Sequence, residues 1–268
     1  MSSLLNEISM DTSLVHVSFR PTSAWTGHAP FLKFLIPELN PKIFVELGTH
    51  NGFSYFTGCQ SIVENKLSTK AFAVDHWEGD AQAGLFEPGV YKRVELQNYE
   101  FREFSKLLKM SFENARPTFA DRSIDLLHID GFHSYEAVSQ DFNSWLPKVS
   151  KNGVVILHDI HIRKDTYEVW KFWEEIKAKY QTIEFTHSYG LGVVFLGEIN
   201  GKRLKELVQI FNSGKDFEVQ GVFAALADEM TQFTFSHLRF SYRDLLALLK
   251  IKFKTQLRNL LKRFANRA

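Results

Sequence analysis

Short apolar and β-branched runs alternate with helical patterns between residues 43 and 198, and this alternation limits the fold to few architectures. Strands are predicted at residues 43–47, 71–75, 105–110, 124–129 and 154–157, the last after an Asn152-Gly153 turn. Amphipathic spacing predicts helices between the strands, and one more from Thr166 to Tyr180. The runs 183–186 and 191–196 lack a clear helix between them and predict an antiparallel pair. The fold class predicted is α/β, a doubly wound, mostly parallel seven-stranded sheet of the Rossmann-like type.

The chain divides into three predicted parts. Residues 1–40 form a helical N-terminal lead-in, residues 41–198 the α/β domain, and residues 199–268 a helical C-terminal extension. The last helix carries an apolar stripe from Leu246 to Phe264 and an opposite face rich in Lys and Arg. Such a helix can lie on an anionic membrane surface, or it can pack or dimerise with its basic face solvated. The second interpretation, which includes a homo-oligomer, is preferred.

Composition excludes several classes of protein. The formal net charge of +1 argues against a general nucleic-acid binder. The single cysteine, Cys59, excludes an intramolecular disulfide framework and suits a reducing compartment. The first residues do not resemble a signal peptide, and the sequence has no uninterrupted apolar run long enough for a transmembrane helix. We therefore expect a cytoplasmic protein, peripheral at the inner membrane surface if its basic helix binds there.

A glycine loop, Glu46-x-Gly48-x-x-x-Gly52, follows the first predicted strand. Ligands of open parallel sheets bind beyond the carboxyl ends of the strands, where such a loop lies. Gly48 allows a sharp turn, and Gly52 allows close approach of the next helix. The loop lacks the G-x-G-x-x-G pattern of dinucleotide-binding proteins and the G-K-[ST] ending of a P-loop. An NAD-dependent dehydrogenase is therefore the least favoured enzyme class.

Two acidic residues indicate what the glycine loop binds. A loop that begins with Glu46 suits a ligand with an amino or cationic group better than a phosphate. Asp75, at the end of the second predicted strand, is placed to accept hydrogen bonds from ribose hydroxyls. This combination is seen in domains that bind S-adenosylmethionine (SAM). Residues 76–90, HWEGDAQAGLFEPGV, are either a lid over this ligand or an ordinary surface loop.

Carboxylates and imidazoles follow the fourth and fifth predicted strands. Asp130 and His133 follow the fourth strand, and His158 and Asp159 end the fifth. Adjacent strand ends would bring these side chains together on the ligand side of the sheet. Asp130, His158 and Asp159 could hold a divalent cation, and the imidazole suits manganese or another first-row metal better than magnesium. Alternatively, the Asp-Gly pair is only a turn and the His-Asp pair only caps a helix.

From about Trp25 to Gly197, the sequence resembles class I SAM-dependent methyltransferases. The resemblance is closest to the group related to bacterial sugar and macrolide O-methyltransferases and cephalosporin-hydroxylase-like proteins, and it covers roughly two-thirds of the chain. The stretches that carry it are VELGTHNGFSYF, AVDHWEGDAQAG, IDLLHIDGFHSYEAVSQDFNSWLPKVSKNGVVILHDI and HSYGLGVVFLG.

The resemblance implies roles for individual residues. In metal-dependent members, an acid after strand four and an acidic pair after strand five hold magnesium, and a base lies three positions after the first acid. Asp130 and Asp159 match the ligands and His133 the base, whereas His158 departs from the family's acidic or amide residue. Trp77 either stacks on the cofactor or anchors the loop. The residues assigned to SAM are Glu46, Gly48, Thr49, Gly52, Ser54, Asp75, His76, Trp77 and Ser111.

The implied function is methyl transfer from SAM to a hydroxyl group of a sugar, in a glycan or a glycosylated metabolite. Metal coordination would lower the pKa of the hydroxyl, and His133 would accept its proton. Two alternatives remain open at this point. The same fold could methylate nitrogen, which would need no metal, or it could be a non-catalytic scaffold in glycan assembly.

Overall fold

The computed structural model describes residues 1–231, apart from residues 81, 83, 88 and 165. Residues Met1–Asp228 form one compact unit, which contains the sheet and the cleft described below. The predicted C-terminal helix, from Leu246 to Phe264, lies outside the described residues. Its membrane-binding and packing interpretations therefore stay predictions. Among the helices of the described part, none combines the length and the apolarity that crossing a membrane requires.

A seven-stranded sheet forms the centre of the unit, in the order β3-β2-β1-β4-β5-β7-β6. Its strands are β1 (Ile43–Leu47), β2 (Lys70–Asp75), β3 (Ser105–Lys109), β4 (Ile124–Ile129), β5 (Val149–His158), β6 (Gln181–Phe185) and β7 (Leu191–Phe195). Strands β1 to β5 are parallel, and β7 is antiparallel to both β5 and β6. The predicted fold class is confirmed. The strand order reverses between β1 and β4, which is where open sheets of this kind bind ligands.

Among the described residues, eight α-helices lie between Ser3 and Ile210. They are α1 (Ser3–Met10), α2 (Ala29–Leu39), α3 (Phe53–Glu64), α4 (Val90–Asn98), α5 (Phe112–Ala115), α6 (Tyr135–Trp145), α7 (Val169–Lys177) and α8 (Lys202–Ile210). The start of α6 is fixed by Ser134, whose side chain accepts a hydrogen bond from the backbone N–H of Ala137. After a kink at Gly214, residues 216–228 are helical as well.

Two predicted boundaries differ from the structure. The Asn152-Gly153 pair does not precede β5 but lies within it, because the strand begins at Val149 and shifts register against β4. A side chain at Gly153 would meet Val149 at 2.4 Å, so a glycine is needed at this irregularity. The helix predicted from Thr166 begins instead at Val169. The backbone N–H of Glu168 donates to the His133 carbonyl at 2.7 Å, which holds the preceding residues in a loop.

Aromatic residues fill both faces of the sheet. On one face, helices α6 and α7 bury Phe142, Trp145 and Trp173. On the other face, α2 and α3 contribute Phe31, Phe34 and Phe56, all of them buried. Burial of each such side chain contributes about 2–3 kcal/mol to folding. The core therefore holds the sheet rigid behind the ends of its strands.

The glycine loop makes a prediction about stability. Gly48 has φ +88°, and a Cβ at this position would lie 2.0 Å from the carbonyl oxygen of Asp130. Gly48→Ala should therefore lower the free energy of unfolding by more than ~2 kcal/mol, measured by urea denaturation. Gly84 is the matched control, since it has φ +79° and a Cβ there would meet no atom within 4 Å. Gly84→Ala should cost only about 1 kcal/mol, and equal losses in the two variants would contradict the close contact with Asp130.

Candidate functional site

A cleft of about 580 Å³ opens beyond the carboxyl ends of the parallel strands. Many of the residues predicted for the site line it, namely Gly48, Thr49, Ser54, Asp75, His76, Ser111, Asp130, His133, His158 and Asp159. Three further predicted residues, Glu46, Gly52 and Trp77, do not line it. Gly52 has φ +82° and begins α3, so that its role here is to turn the chain into the helix.

Strand register brings the distant parts of the site together. Leu47 at the end of β1 pairs with Ile129 of β4, which in turn pairs with Leu157 of β5. The residues that follow these three strands therefore lie side by side. The backbone N–H of Asp130 also donates to the carbonyl of Leu47 at 2.8 Å. The expected convergence of the two motifs is thus present.

Asp75 ties the glycine loop to the end of β2. One carboxylate oxygen accepts hydrogen bonds from the backbone N–H groups of Thr49 at 3.0 Å and His50 at 2.9 Å. The other accepts from the backbone N–H of Trp77 at 2.6 Å. A carboxylate offers about four acceptor positions, so Asp75 keeps capacity for a ligand hydroxyl. The indole of Trp77 is buried and donates to the His50 carbonyl at 2.9 Å, which anchors the loop.

Glu46 lies behind the cleft in a buried relay. Its carboxylate is 2.8 Å from Nδ1 of His128, and Nε2 of His128 accepts a hydrogen bond from the Trp25 indole at 3.1 Å. Because an indole N–H can only donate, the hydrogen of neutral His128 lies on Nδ1 and points at Glu46. Burial raises the pKa of Glu46, although the bond from His128 opposes that shift. The relay fastens the N-terminal lead-in to the centre of the sheet.

Two carboxylates and two imidazoles form the cluster at the ends of β4 and β5. Nε2 of His133 lies 2.8 Å from Asp159 Oδ2 and 3.8 Å from Asp130 Oδ1. Nδ1 of His158 lies 3.3 Å from a carboxylate oxygen of both acids, and its Nε2 is 3.2 Å from the Ser188 carbonyl. Since all these oxygens accept, His158 carries a hydrogen on each nitrogen.

The pKa values of the cluster follow from this pairing. Burial lowers the pKa of His133, but Asp130 and Asp159 outweigh burial and raise it to about 9. Burial also lowers the pKa of His158, and the same two acids bring it above its ordinary value. For Asp130, burial raises the pKa, whereas His158 and His133 hold it well below its ordinary range. The cluster is therefore a network of ion pairs with little net charge.

A divalent cation fits a donor set that differs from the predicted one. One ligand atom each from Asp130, His133 and Asp159 lies within 4.8 Å of the others. Two carboxylates and one imidazole suit a first-row divalent ion better than magnesium, which prefers oxygen ligands. His158 was predicted as a ligand, but its Nδ1 donates to the carboxylates instead. His133 takes its place in the set that the structure brings together.

Comparison with known proteins shows which family the sheet region resembles. The sequence profile of the methyltransferase domain family matches residues 45–160, from β1 to just beyond β5. This part of the chain is therefore similar to methyltransferase domains. The chain is also 40% identical over 211 residues to the uncharacterized protein y4gI of Sinorhizobium fredii. The match covers 79% of this chain but 23% of that protein, so the chain spans about a quarter of that relative's length.

Solved structures share the fold of the methyltransferase domain. Cofactor-bound Rv0187 from MTB aligns with a TM-score of 0.50 at 12% identity, over 74% of this chain and 92% of that chain. The O-methyltransferase TomG from Streptomyces achromogenes, solved in complex with SAM, aligns with a TM-score of 0.49 at 13% identity, over 74% and 91% of the two chains. At 12% identity, the likeness to Rv0187 shows the fold alone.

The structure also brings to the site residues that the sequence motifs did not reveal. Tyr167 stacks on His133, with ring centroids 4.5 Å apart. Gln82, from the segment after β2, hydrogen-bonds to His133. Asp141 lines the cleft without a side-chain hydrogen bond or ion pair among the described residues, and burial raises its pKa to about 7. Its helical spacing from Val138 was the one available signal, since it places Asp141 on the inward face of α6.

Asp141 gives a prediction about pH. Its folded pKa of about 7 exceeds the ordinary value of 3.8, so the stability that its protonated form provides is lost as pH rises through this range. Asp141→Asn removes the ionising group. The free energy of unfolding of this variant, relative to that of the wild type, should therefore be higher at about pH 8 than at about pH 5, by roughly 1–3 kcal/mol. Urea denaturation at both pH values measures this difference.

The control for Asp141 is an exposed acid. Glu103 has a side chain that is 84% exposed, and Glu103→Gln should show no such growth with pH. An Asp141→Asn effect that is equal at both pH values would mean that this carboxyl ionises normally.

Proposed function

We propose that the domain transfers a methyl group from SAM to a hydroxyl group of a sugar, in a glycan or a glycosylated metabolite. One observation carries the proposal: the cluster of Asp130, His133 and Asp159 shares a single cleft with the Gly48 loop and Asp75. A cofactor-binding half and an acid–base half are thus adjacent. The choice of a sugar acceptor is supported by the resemblance of the long block from residue 124 to residue 160 to sugar and macrolide O-methyltransferases.

The cofactor half of the cleft has a matching group for each end of SAM. Asp75 keeps acceptor positions for the ribose hydroxyls, as described above. Ser111 and Phe112, at the start of α5, line the cleft beside Asp141 and offer an apolar face and polar edges to adenine. Gly48, Thr49 and Ser54 line the cleft beside Asp75 and are the residues offered to the methionine portion. Glu46 is buried and does not line the cleft.

The chemistry requires a base, because a neutral alcohol that keeps its hydroxyl proton is a weak nucleophile. The hydroxyl oxygen attacks the methyl carbon of SAM, the carbon–sulfur bond breaks, and its electron pair stays on sulfur. The products are the methyl ether and S-adenosylhomocysteine. In its neutral form, His133 accepts the hydroxyl proton, and Asp130 and Asp159 stabilise the imidazolium that results. Alignment of oxygen, carbon and sulfur within the cleft supplies roughly 7–11 kcal/mol of the barrier reduction in favourable cases.

Asp130, His133 and Asp159 are the residues that would hold a divalent cation. When bound, such an ion lowers the pKa of a coordinated hydroxyl and fixes its position. The cation and the proton then compete for Nε2 of His133. Asp130 and Asp159 have the same role whether a proton or a cation is bound at Nε2, because they balance positive charge at the same point.

The cofactor assignment predicts binding of S-adenosylhomocysteine, measured by isothermal titration calorimetry. Asp75→Ala should weaken binding by at least ~10-fold, since hydrogen bonds to a charged group contribute about 1.5–3 kcal/mol each. Asp121 is an exposed acid paired with Lys148, and Asp121→Ala is the control that should bind like wild type. An absence of heat from the wild-type protein, with and without a divalent metal, would defeat the assignment.

The base assignment predicts a particular dependence of activity on pH. Without added metal, kcat/KM for transfer from radiolabelled SAM to a panel of sugars should rise with pH toward a plateau above about pH 9, because only neutral His133 accepts a proton. His133→Gln should lower kcat by roughly 10²–10⁴-fold and leave S-adenosylhomocysteine binding intact. Manganese should move the rise to lower pH if it displaces the proton. A flat profile together with full activity of His133→Gln would contradict the assignment.

A further inference from the structure

Part of the segment between β2 and α4 lies against the cleft, which His76, Gly79 and Phe86 line. It contains a small antiparallel hairpin of Gly79–Asp80 and Gly84–Leu85, and Gln82 lies at its turn. Oε1 of Gln82 is 2.8 Å from the backbone nitrogen of His133 and 2.9 Å from Nδ1 of the same residue. Nε2 of Gln82 donates to the carbonyl of Thr166 at 3.1 Å and to its hydroxyl at 2.7 Å. One amide therefore connects the hairpin to the loops that follow β4 and β5.

The orientation of this amide is determined by its partners. A backbone N–H can only donate, so the atom facing the His133 nitrogen is the amide oxygen. A backbone carbonyl can only accept, so the atom facing Thr166 is the amide nitrogen. An amide with its oxygen and nitrogen exchanged would lose the bond from the His133 backbone N–H and the bond to the Thr166 carbonyl. It follows that Nδ1 of His133 carries a hydrogen, which it donates to Gln82.

The other nitrogen of His133 is thereby left for chemistry. Nε2 faces Asp130 and Asp159 in the cleft. Once its own proton has left, Nε2 can accept a hydrogen bond from a hydroxyl or bind a cation. Tyr167, stacked on His133 with an interplanar angle of 18°, fixes the plane of the ring. Gln82 fixes the remaining rotation and the position of the hydrogen. Partners of this kind, which hold the far nitrogen of a functional histidine, typically change activity or metal affinity by about 10–100-fold when removed.

We propose that Gln82 is a positioning residue, which keeps a hydrogen on Nδ1 of His133 so that Nε2 is the reactive nitrogen. The proposal rests on the function proposed above, and it holds whether Nε2 accepts a proton or binds a cation. It also makes the reactivity of His133 depend on the position of the hairpin. A second contact joins this segment to the site, because Phe86 stacks on His50 of the glycine loop with ring centroids 4.3 Å apart.

The test compares three variants of the full chain. Gln82→Leu keeps the size of the side chain and removes its bonds to His133 and Thr166. Gln82→Glu keeps an acceptor for both N–H groups of His133. Thr166→Val removes one partner of the amide and leaves both bonds to His133, so it is the matched control. We expect kcat to fall roughly 10–100-fold in Gln82→Leu, with KM for SAM within about threefold of wild type, and to fall less in Gln82→Glu. Thr166→Val should stay within about threefold of wild type.

A second readout does not need activity. In protein with ¹⁵N-labelled histidine, assigned through His133→Gln, the Nδ1–H of His133 should give a slowly exchanging proton signal at neutral pH. The signal should persist in Thr166→Val and in Gln82→Glu and disappear in Gln82→Leu. An unchanged signal in Gln82→Leu would overturn the role of Gln82. If the wild-type enzyme is active, an unchanged kcat in Gln82→Leu would overturn it as well. If the wild type methylates no acceptor but the signal behaves as expected, the proposed function fails while the positioning of His133 stands.

Discussion

The site depends on three parallel strands, β1, β4 and β5, that end at the same position along the sheet. Leu47, Ile129 and Leu157 are paired in register, so the chain leaves β1, β4 and β5 at one height and the residues that follow must share one space. The lack of a side chain at Gly48 lets the glycine loop pass directly over the Asp130 carbonyl. A slip of one residue in either pairing would turn alternate side chains to the opposite face of the sheet. The rigid aromatic core behind these strands makes such a slip costly, and this is why a catalytic arrangement can be built from segments far apart in sequence.

The same convergence creates an electrostatic conflict that the two histidines resolve. Asp130 and Asp159 bring two negative charges to a largely buried edge, where an unpaired carboxylate would be costly. His158, held on both nitrogens, is a fixed internal counter-charge. His133 faces the cleft and is the exchangeable counter-charge. The pairing that stabilises the two acids therefore also holds the proton of His133 tightly. Under the proposed function, the reaction begins with release or replacement of this proton.

The strands and the turn glycines could be predicted because their signals are local. A short apolar run followed by Glu46-Leu47-Gly48 or by Asp130-Gly131 marks a strand end without reference to any distant residue. The sequence could not reveal which imidazole faces which acid. Asp159 adopts φ +62°, and the set whose ligand atoms lie within 4.8 Å of one another is Asp130, His133 and Asp159. His158 contacts the same two carboxylates through Nδ1. Gln82 gave no signal at all, because its partner lies 51 residues away and glutamine is ordinary in a loop.

The walls of the cleft come from two different parts of the chain, the segment that matches the methyltransferase family and the N-terminal lead-in. The segment that matches the methyltransferase family contains the glycine loop, Asp75, the cluster and the hairpin, which under the proposed function are the parts needed for cofactor binding and proton transfer. One wall of the cleft, from Thr22 to Trp25, lies outside that segment and belongs to the lead-in. It is fastened by the bond from Trp25 to His128 and by the Asn51 side chain, which donates to the Thr22 carbonyl at 3.3 Å. Thr22 and Ala24 of this wall are exposed, whereas Trp25 is buried, so changes at the two exposed positions would leave the strand ends in place. Under the proposed function, selection of the acceptor could therefore change at these positions while the proposed chemistry at His133 stays the same.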